Sequence, residues 1–237
     1  MNWMRIIVLT VVCCLSAGRS AYAHHLWVVK TGDYYVVARG LFPDRLDPYN
    51  PECVKNIKAF GPHGMAIGVH RISNQDQVRF QALDAVALVA VSCDWGHRVN
   101  TTKGKKLLPR RQAEHAGFRV ISAFFSTQLT KCLFRDGVQT TKPIGMRFEL
   151  VPLENPFNVT PGADLPLEVI FDRQPLVDIR LFTKEGGESR TDANGIGRIT
   201  ITKKGLQLIM AQHRVPVKGD PEKDYHLFST FLVFEIK

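Results

Sequence analysis

The segment 146-MRFELVPLENPFNVTPGADLPLEVIFDRQPLVDIRLF-182 decides the fold class. It contains three short apolar runs, 146–151, 165–171 and 177–182, and every gap between them carries Pro, Gly, Asn or Asp. Three further runs follow the same rule before the chain ends, at 197–202, 206–211 and 227–236. Short strands separated by turn residues are typical of antiparallel sandwiches. The sequence therefore predicts an antiparallel β-sandwich over residues 144–237.

The first half of the chain also carries strand signals. The runs 26–30 and 34–39 are rich in β-branched and aromatic residues, and the Thr-Gly-Asp between them predicts a hairpin. The Ala/Val/Leu run 86–92 has the length of one strand. These signals predict a second β domain over residues 24–140.

One short helix is predicted to begin near Arg110 and to extend to about Ser122, because apolar residues recur there at intervals of three to five. The segment 121–134 also fits a strand, and that alternative stays open. The boundary between the domains is predicted at 135–143, where an Asp-Gly and a Lys-Pro pair break both periodicities. The expected fold is mainly β, with two antiparallel sandwich-like domains and at most one short helix.

Residues 1–23 have the pattern of a secretory signal peptide, with Arg5, an apolar run over 6–15 and an Ala-Tyr-Ala cleavage site at 21–23. The run is too short to span a bilayer, and no later stretch is long enough. The sequence predicts export to the periplasm by a protein that does not itself span the membrane after cleavage. Its 45% hydrophobic and 22% charged residues are typical of a globular chain and exclude a disordered tail.

Composition and motifs narrow the function further. Removing the signal leaves Cys53, Cys93 and Cys132, which allow at most one disulfide of open pairing. The basic run 103–106 would suit nucleic acid, but an exported chain meets little of it, so a solvated loop or attraction to an anionic membrane is expected instead. Gly-x-Ser-x-Gly, His-Glu-x-x-His and phosphate- or dinucleotide-binding glycine motifs are absent from the sequence, so we do not predict an enzyme.

Cleavage after Ala23 would make His24-His25 the mature amino terminus. The α-amine and imidazole of His24 could then chelate one metal ion, and imidazole suits copper, nickel, cobalt and zinc. Cleavage after Tyr22 would instead place His25 third, where the amine, two amides and the imidazole enclose copper or nickel in a square plane. The alternative is a frayed terminus that binds nothing. A strand at 26–29 would hold the terminus to the fold and favours the metal site.

Several short motifs follow one another along the chain in a fixed order. They are Ala-His-His-Leu-Trp-Val at 23–28, Asp-Trp-Gly at 94–96, Thr-Lys-Cys-Leu-Phe at 130–134, and the segments 148–156, 172–176 and 191–195. Their order resembles that of a bacterial family of periplasmic proteins of uncertain function, whose members are often labelled periplasmic components of cobalt or nickel uptake systems.

The resemblance implies a protein that captures Ni²⁺ or Co²⁺ and hands it to a membrane transporter. It implies that His24 and His25 are primary ligands and that His213, which closes a late strand, is an additional or outer-shell ligand. The turn 191–195 also resembles those of Ig-like or transthyretin-like sandwiches appended to exported proteins. Where the family often has Trp in the late strand, this chain has Leu-Gln-Leu at 206–208.

Two other classes of function remain as alternatives. One is a copper enzyme that activates oxygen through an amino-terminal histidine brace. The other is a structural or adhesive sandwich without a ligand, in which the histidines have no metal-binding role.

Overall fold

The computed structural model describes residues 24–237, and the predicted signal peptide lies outside the described residues. The structure is 55% strand and 6% helix. Residues 24–237 contain one α-helix, α1 (Arg110–His115), and two 3-10 turns, Pro51–Cys53 and Pro156–Asn158. The prediction of a mainly β sandwich protein with one short helix is confirmed.

The strands are β1 (His25–Thr31), β2 (Tyr34–Leu41), β3 (Arg45–Leu46), β4 (Val54–Phe60), β5 (Ala66–Ile67), β6 (Val69–Ser73), β7 (Val78–Ala82), β8 (Leu88–Thr101), β9 (Gly104–Lys106), β10 (Val120–Leu133), β11 (Phe148–Pro152), β12 (Asp164–Phe171), β13 (Gln174–Pro175), β14 (Arg180–Thr183), β15 (Glu188–Arg190), β16 (Ile196–Thr200), β17 (Gly205–Pro216) and β18 (Tyr225–Ile236).

These strands form three sheets in three layers. The central sheet has nine strands in the order β15-β14-β17-β18-β10-β8-β4-β5, with β9 paired to β8. A five-stranded sheet, β1-β2-β7-β6 with β3 on β2, covers one face of the central sheet. A four-stranded sheet, β11-β12-β13 with β16 on β12, covers the other face.

The central sheet is buried on both faces, which explains the nearly continuous apolar run in β18. Phe231 and Val233 point into the core beneath the five-stranded sheet. Leu232 and Phe234 point into the core beneath the four-stranded sheet. A strand buried on one face only would alternate apolar and polar residues, whereas β18 has apolar residues in both registers.

The two predicted domains share the central sheet. β10, from the first predicted domain, pairs in parallel with β18, from the second, and the register places Leu129 opposite Thr230. All other strand pairings among residues 24–237 are antiparallel. The predicted boundary at 135–143 falls in the connection between β10 and β11. The division into 24–140 and 144–237 stays a prediction about folding units.

The helix begins where it was predicted, but its predicted end near Ser122 is wrong. Gly117, with φ +77°, reverses the chain just after α1, and the N–H of Phe118 bonds back to the carbonyl of Ala113 at 3.0 Å. Glycine in this conformation is a common helix stop. The chain then returns as β10, which confirms the alternative interpretation of 121–134 as a strand.

Several strands differ from their predicted lengths. β8 was predicted to end at 92 and β17 at 211, but they continue to Thr101 and Pro216. β14 begins at Arg180 and not at 177, because Asp178 adopts a φ of +58° that a strand cannot continue through. The four long strands β8, β10, β17 and β18, of 12 to 14 residues each, all belong to the central sheet.

Candidate functional site

His24 is the first described residue and lies directly before β1. Its Nε2 is 2.9 Å from Oδ2 of Asp47, and its carbonyl oxygen accepts a 2.8 Å hydrogen bond from Nε2 of Gln128. Gln128 is fixed in turn, because its Oε1 accepts a 2.7 Å hydrogen bond from Nε1 of Trp95. Residue 24 is therefore attached to the fold through both its side chain and its backbone.

The surroundings of His24 favour a neutral imidazole. Burial lowers the pKa of His24, the positive charge of Arg39 lowers it further, and Asp47 acts in the opposite direction. A carboxylate only accepts hydrogen bonds, so Nε2 of the neutral ring carries the proton toward Asp47 and Nδ1 keeps its lone pair. A carboxylate on one ring nitrogen is the arrangement that orients metal-binding histidines.

Asp47 reaches His24 because of a close approach between β2 and the chain that follows it. Gly40 pairs with His25 on one side and with Leu46 on the other. A Cβ at position 40 would overlap the carbonyl oxygen of Arg45, so glycine is required there. This contact depends on a non-local pairing, and the sequence carries no local signal that would have identified Asp47.

His25 points into the core and away from His24. It is 4% exposed, and its Nδ1 accepts a 3.2 Å hydrogen bond from the backbone N–H of Phe42. Its ring packs edge-on against Phe42 and Phe231, with centroids 6.4 and 5.9 Å away. Burial lowers the pKa of His25 to about 4, with a smaller contribution from His24. The structure thus places His25 as a neutral core residue with one ring nitrogen already bonded.

His213 lies on the opposite face of the central sheet. Its ring packs against Phe171 and Phe148, at centroid distances of 4.9 and 6.2 Å, on the side covered by the four-stranded sheet. His25 contacts Phe231, which belongs to the other core. The sheet separates the two rings, so the structure does not bring His213 together with His24 and His25. Residues 24–237 contain no group of three or more His, Cys, Asp or Glu side chains that could hold one metal ion.

A second constellation lies on the face of the central sheet that carries His213. The hydroxyl of Thr127 donates a 2.6 Å hydrogen bond to Oδ1 of Asp94 and lies 2.9 Å from Nε2 of His226. Because the hydroxyl proton is directed to Asp94, Nε2 of His226 donates to Thr127 and its Nδ1 keeps a lone pair. The sequence singled out Asp94 only as part of a motif, and nothing in the sequence predicts its alignment with a residue in β18.

The three cysteines of the described chain are free thiols. Cys93 and Cys132 are buried, and burial raises the pKa of Cys132 to about 11. Sγ of Cys132 accepts a 3.3 Å hydrogen bond from the backbone N–H of Val28. Of the two alternatives, disulfide or buried thiol, the structure shows the thiol, which is unreactive in such surroundings.

The fold and the anchored histidine define a β-sandwich protein with a candidate site at the start of its first strand. The sequence model of the family described as "Domain of unknown function (DUF4198)" matches residues 21–215, and the chain belongs to this family. The match includes His24, His25 and His213 and ends before β18. The comparisons with curated proteins and with solved structures give no match. None of the helices in residues 24–237 has the length and apolar character needed to cross a membrane.

Proposed function

We propose that this protein is an exported, periplasmic accessory protein that captures Ni²⁺ or Co²⁺ for transfer to a membrane uptake transporter. The observation that carries the proposal is the 2.9 Å contact between Nε2 of His24 and Asp47. It leaves Nδ1 of the same residue available. Cleavage after residue 23 adds a free α-amine to that residue, so His24 alone supplies two nitrogen donors in one chelate ring.

The proposed site is open, and this suits delivery better than storage. The side chain of His24 is 40% exposed, and only its own two nitrogens are offered to the metal. The remaining coordination positions are left to water or to a partner protein. A receiving transporter could therefore attach its own ligands before the ion leaves His24. In this proposal His25 fixes the terminus in the core, and His213 does not share the ion.

The copper-brace alternative requires a further imidazole beside His24. His25 is the nearest in sequence, and its ring is turned into the core with Nδ1 bonded to Phe42. His213 is on the other face of the central sheet. We therefore favour metal capture over oxygen activation.

The test compares three forms of the protein: one that begins at His24, one that has three glycines before His24 so that neither histidine is third in the chain, and one that carries His24→Ala. Equilibrium dialysis against Ni²⁺, Co²⁺, Cu²⁺ and Zn²⁺ should show one ion per chain for the first form and an affinity at least about tenfold lower for the other two. His63→Ala, in an exposed turn, is the matched control and should bind like the parent.

Equal binding by all three forms would overturn the proposal. A melting temperature that no metal raises would instead support the ligand-free sandwich, because an ion that binds only the folded state must stabilise that state.

A further inference from the structure

A groove lies on the central sheet, on the face opposite to that of His25. Its floor is formed by β4, β8, β10 and β18, and the segment 145–147 before β11 forms one wall. Its volume is about 360 Å³, which is within the range of small-molecule sites. Leu129, Met146 and Phe228 supply apolar surface beside several polar groups. The groove is separate from the proposed metal site.

The polar floor of the groove is organised around Asp94. Its Oδ1 is held by Thr127, which also contacts His226, whereas its Oδ2 has no hydrogen-bond partner within residues 24–237. The ring of His226 is itself fixed, since it stacks on Phe228 at 4.0 Å with an interplanar angle of 17°. The floor therefore presents one positioned carboxylate oxygen that is free to accept a hydrogen bond from a ligand.

The rim of the groove is basic. Lys55 and Lys58 are exposed and form no ion pair within the described chain. Arg147 is positioned by Asp172, which binds its Nε and Nη2 at 3.0 and 3.2 Å, and by stacking on Phe228 at 4.7 Å. Its Nη1 has no partner among residues 24–237. Two unpaired lysines, and an arginine that keeps one free nitrogen beside Asp172, thus line the same groove as Asp94.

We infer that this groove binds a small organic acid that also carries a hydrogen-bond-donating hydroxyl or amino group. The acid's carboxylates pair with Lys55, Lys58 and Arg147, where charge-assisted hydrogen bonds are available. Its hydroxyl or amino group donates to Oδ2 of Asp94. An anion without a donor would leave Asp94 unpaired and would be repelled by it, so the floor selects against simple inorganic anions and plain carboxylates.

The test uses two matched pairs of probes, citrate with tricarballylate and L-aspartate with succinate. The members of each pair share their carboxylates, and only the first member has the hydroxyl or amino donor. Metal is removed beforehand with a chelating resin, because a soluble polycarboxylate chelator would itself compete for the groove. Titration calorimetry at low salt should show saturable binding of citrate or L-aspartate, at least about tenfold tighter than the donor-free partner. If only the citrate pair differs in affinity, the preferred donor is a hydroxyl group; if only the aspartate pair differs, it is an amino group.

Three variants locate the binding. Lys55→Gln combined with Lys58→Gln should lower the affinity for the tighter-binding probe about tenfold, since two charged contacts are lost. Asp94→Asn keeps an acceptor for Thr127 but removes the charge, and it should reduce the preference over the donor-free partner. Lys204→Gln combined with Lys218→Gln removes two exposed charges elsewhere and should bind like the parent. The inference fails if no probe saturates below about 10 mM, if donor and donor-free probes bind equally, or if both double variants have the same effect.

Discussion

Lys131 and Glu149 form an ion pair in the interior, with Nζ 3.0 Å from Oε1 and each side chain only 1% exposed. Lys131 lies in β10 and Glu149 in β11, so the pair joins the central sheet to the four-stranded sheet on either side of the predicted boundary. Burial lowers the pKa of Lys131, and the neighbouring carboxylate opposes this shift. Glu149 also accepts hydrogen bonds from the backbone N–H groups of Ile144 and Met146. The carboxylate thereby organises the segment that forms one wall of the groove.

Removing the carboxylate should cost more stability than removing the amine. We expect Glu149→Leu to lower the free energy of unfolding by about 3–5 kcal/mol, since it leaves two backbone donors without a partner and the buried ammonium without its counter-ion, bonded only to the carbonyl of Lys142 at 2.8 Å. Lys131→Met should cost less, because two backbone N–H groups still stabilise the remaining carboxylate. Denaturant unfolding measures both, and equal losses would contradict the asymmetry. Glu188→Gln, at an exposed ion pair with Arg180, is the control and should change stability by less than about 1 kcal/mol.

His25 should contribute to stability whether or not a metal is present. His25→Leu keeps an apolar side chain in the core but leaves the N–H of Phe42 without its acceptor. We expect a loss of about 1–3 kcal/mol in the free energy of unfolding, measured with metal-free protein. An unchanged midpoint would show that the hydrogen bond to His25 is not needed to hold β1.

The local features of this fold could be predicted from sequence, and the long-range ones could not. The hairpin of β1 and β2, the start of α1 and most strands after 143 follow from periodicity and turn residues within a few positions. The helix end was missed because the same apolar spacing fits a helix and the start of β10, although Gly117 was a usable stop signal. The parallel pairing of β10 with β18 depends on packing between segments about a hundred residues apart, for which no local pattern exists.

The candidate site shows the same division. The sequence identified His24 because its chemistry depends on its place in the chain. It could not identify Asp47, whose position depends on the pairing of β2 with β3, nor the orientation of His25. The family resemblance grouped His213 with His25, but the central sheet places them on opposite faces. Which face of a two-sided buried strand meets which layer is decided by tertiary packing.

Asp47 should tune metal affinity without being a ligand. Asp47→Asn keeps an acceptor near Nε2 of His24 but loses the charge that orients the ring and raises its basicity. We expect affinity for Ni²⁺ or Co²⁺ to fall about 10–100-fold with stoichiometry unchanged. Equilibrium dialysis of the form beginning at His24 measures both quantities, and Asp44→Asn, at an exposed ion pair with Lys184, is the matched control. Loss of binding sites with no change in affinity would contradict this role.

The imidazole of His226 should titrate below its ordinary range. Burial lowers the pKa of His226, Arg147, Lys223 and His97 lower it further, and Asp94 opposes them. Asp94→Asn should therefore lower this pKa further. The chemical shift of the His226 ring, followed by NMR from pH 8 downward, measures it in both proteins, and a rise in the variant would contradict the electrostatic account.

Because the pKa of His226 is lowered in the folded protein, this residue should make the protein less stable as the pH falls. Because the folded pKa of His226 lies below the unfolded value of 6.5, the unfolded chain takes up this proton first as the pH falls. The stabilising contribution of the neutral ring is complete above about pH 6.5 and is lost progressively below it, down to the folded pKa. His226→Gln removes this group from the proton balance, so the free energy of unfolding of the variant should fall less steeply than that of the parent as the pH drops below about 6.5. Urea unfolding curves of parent and variant at several pH values test this. If the free energy of unfolding changes equally with pH in both proteins, another group controls the loss of stability at acid pH.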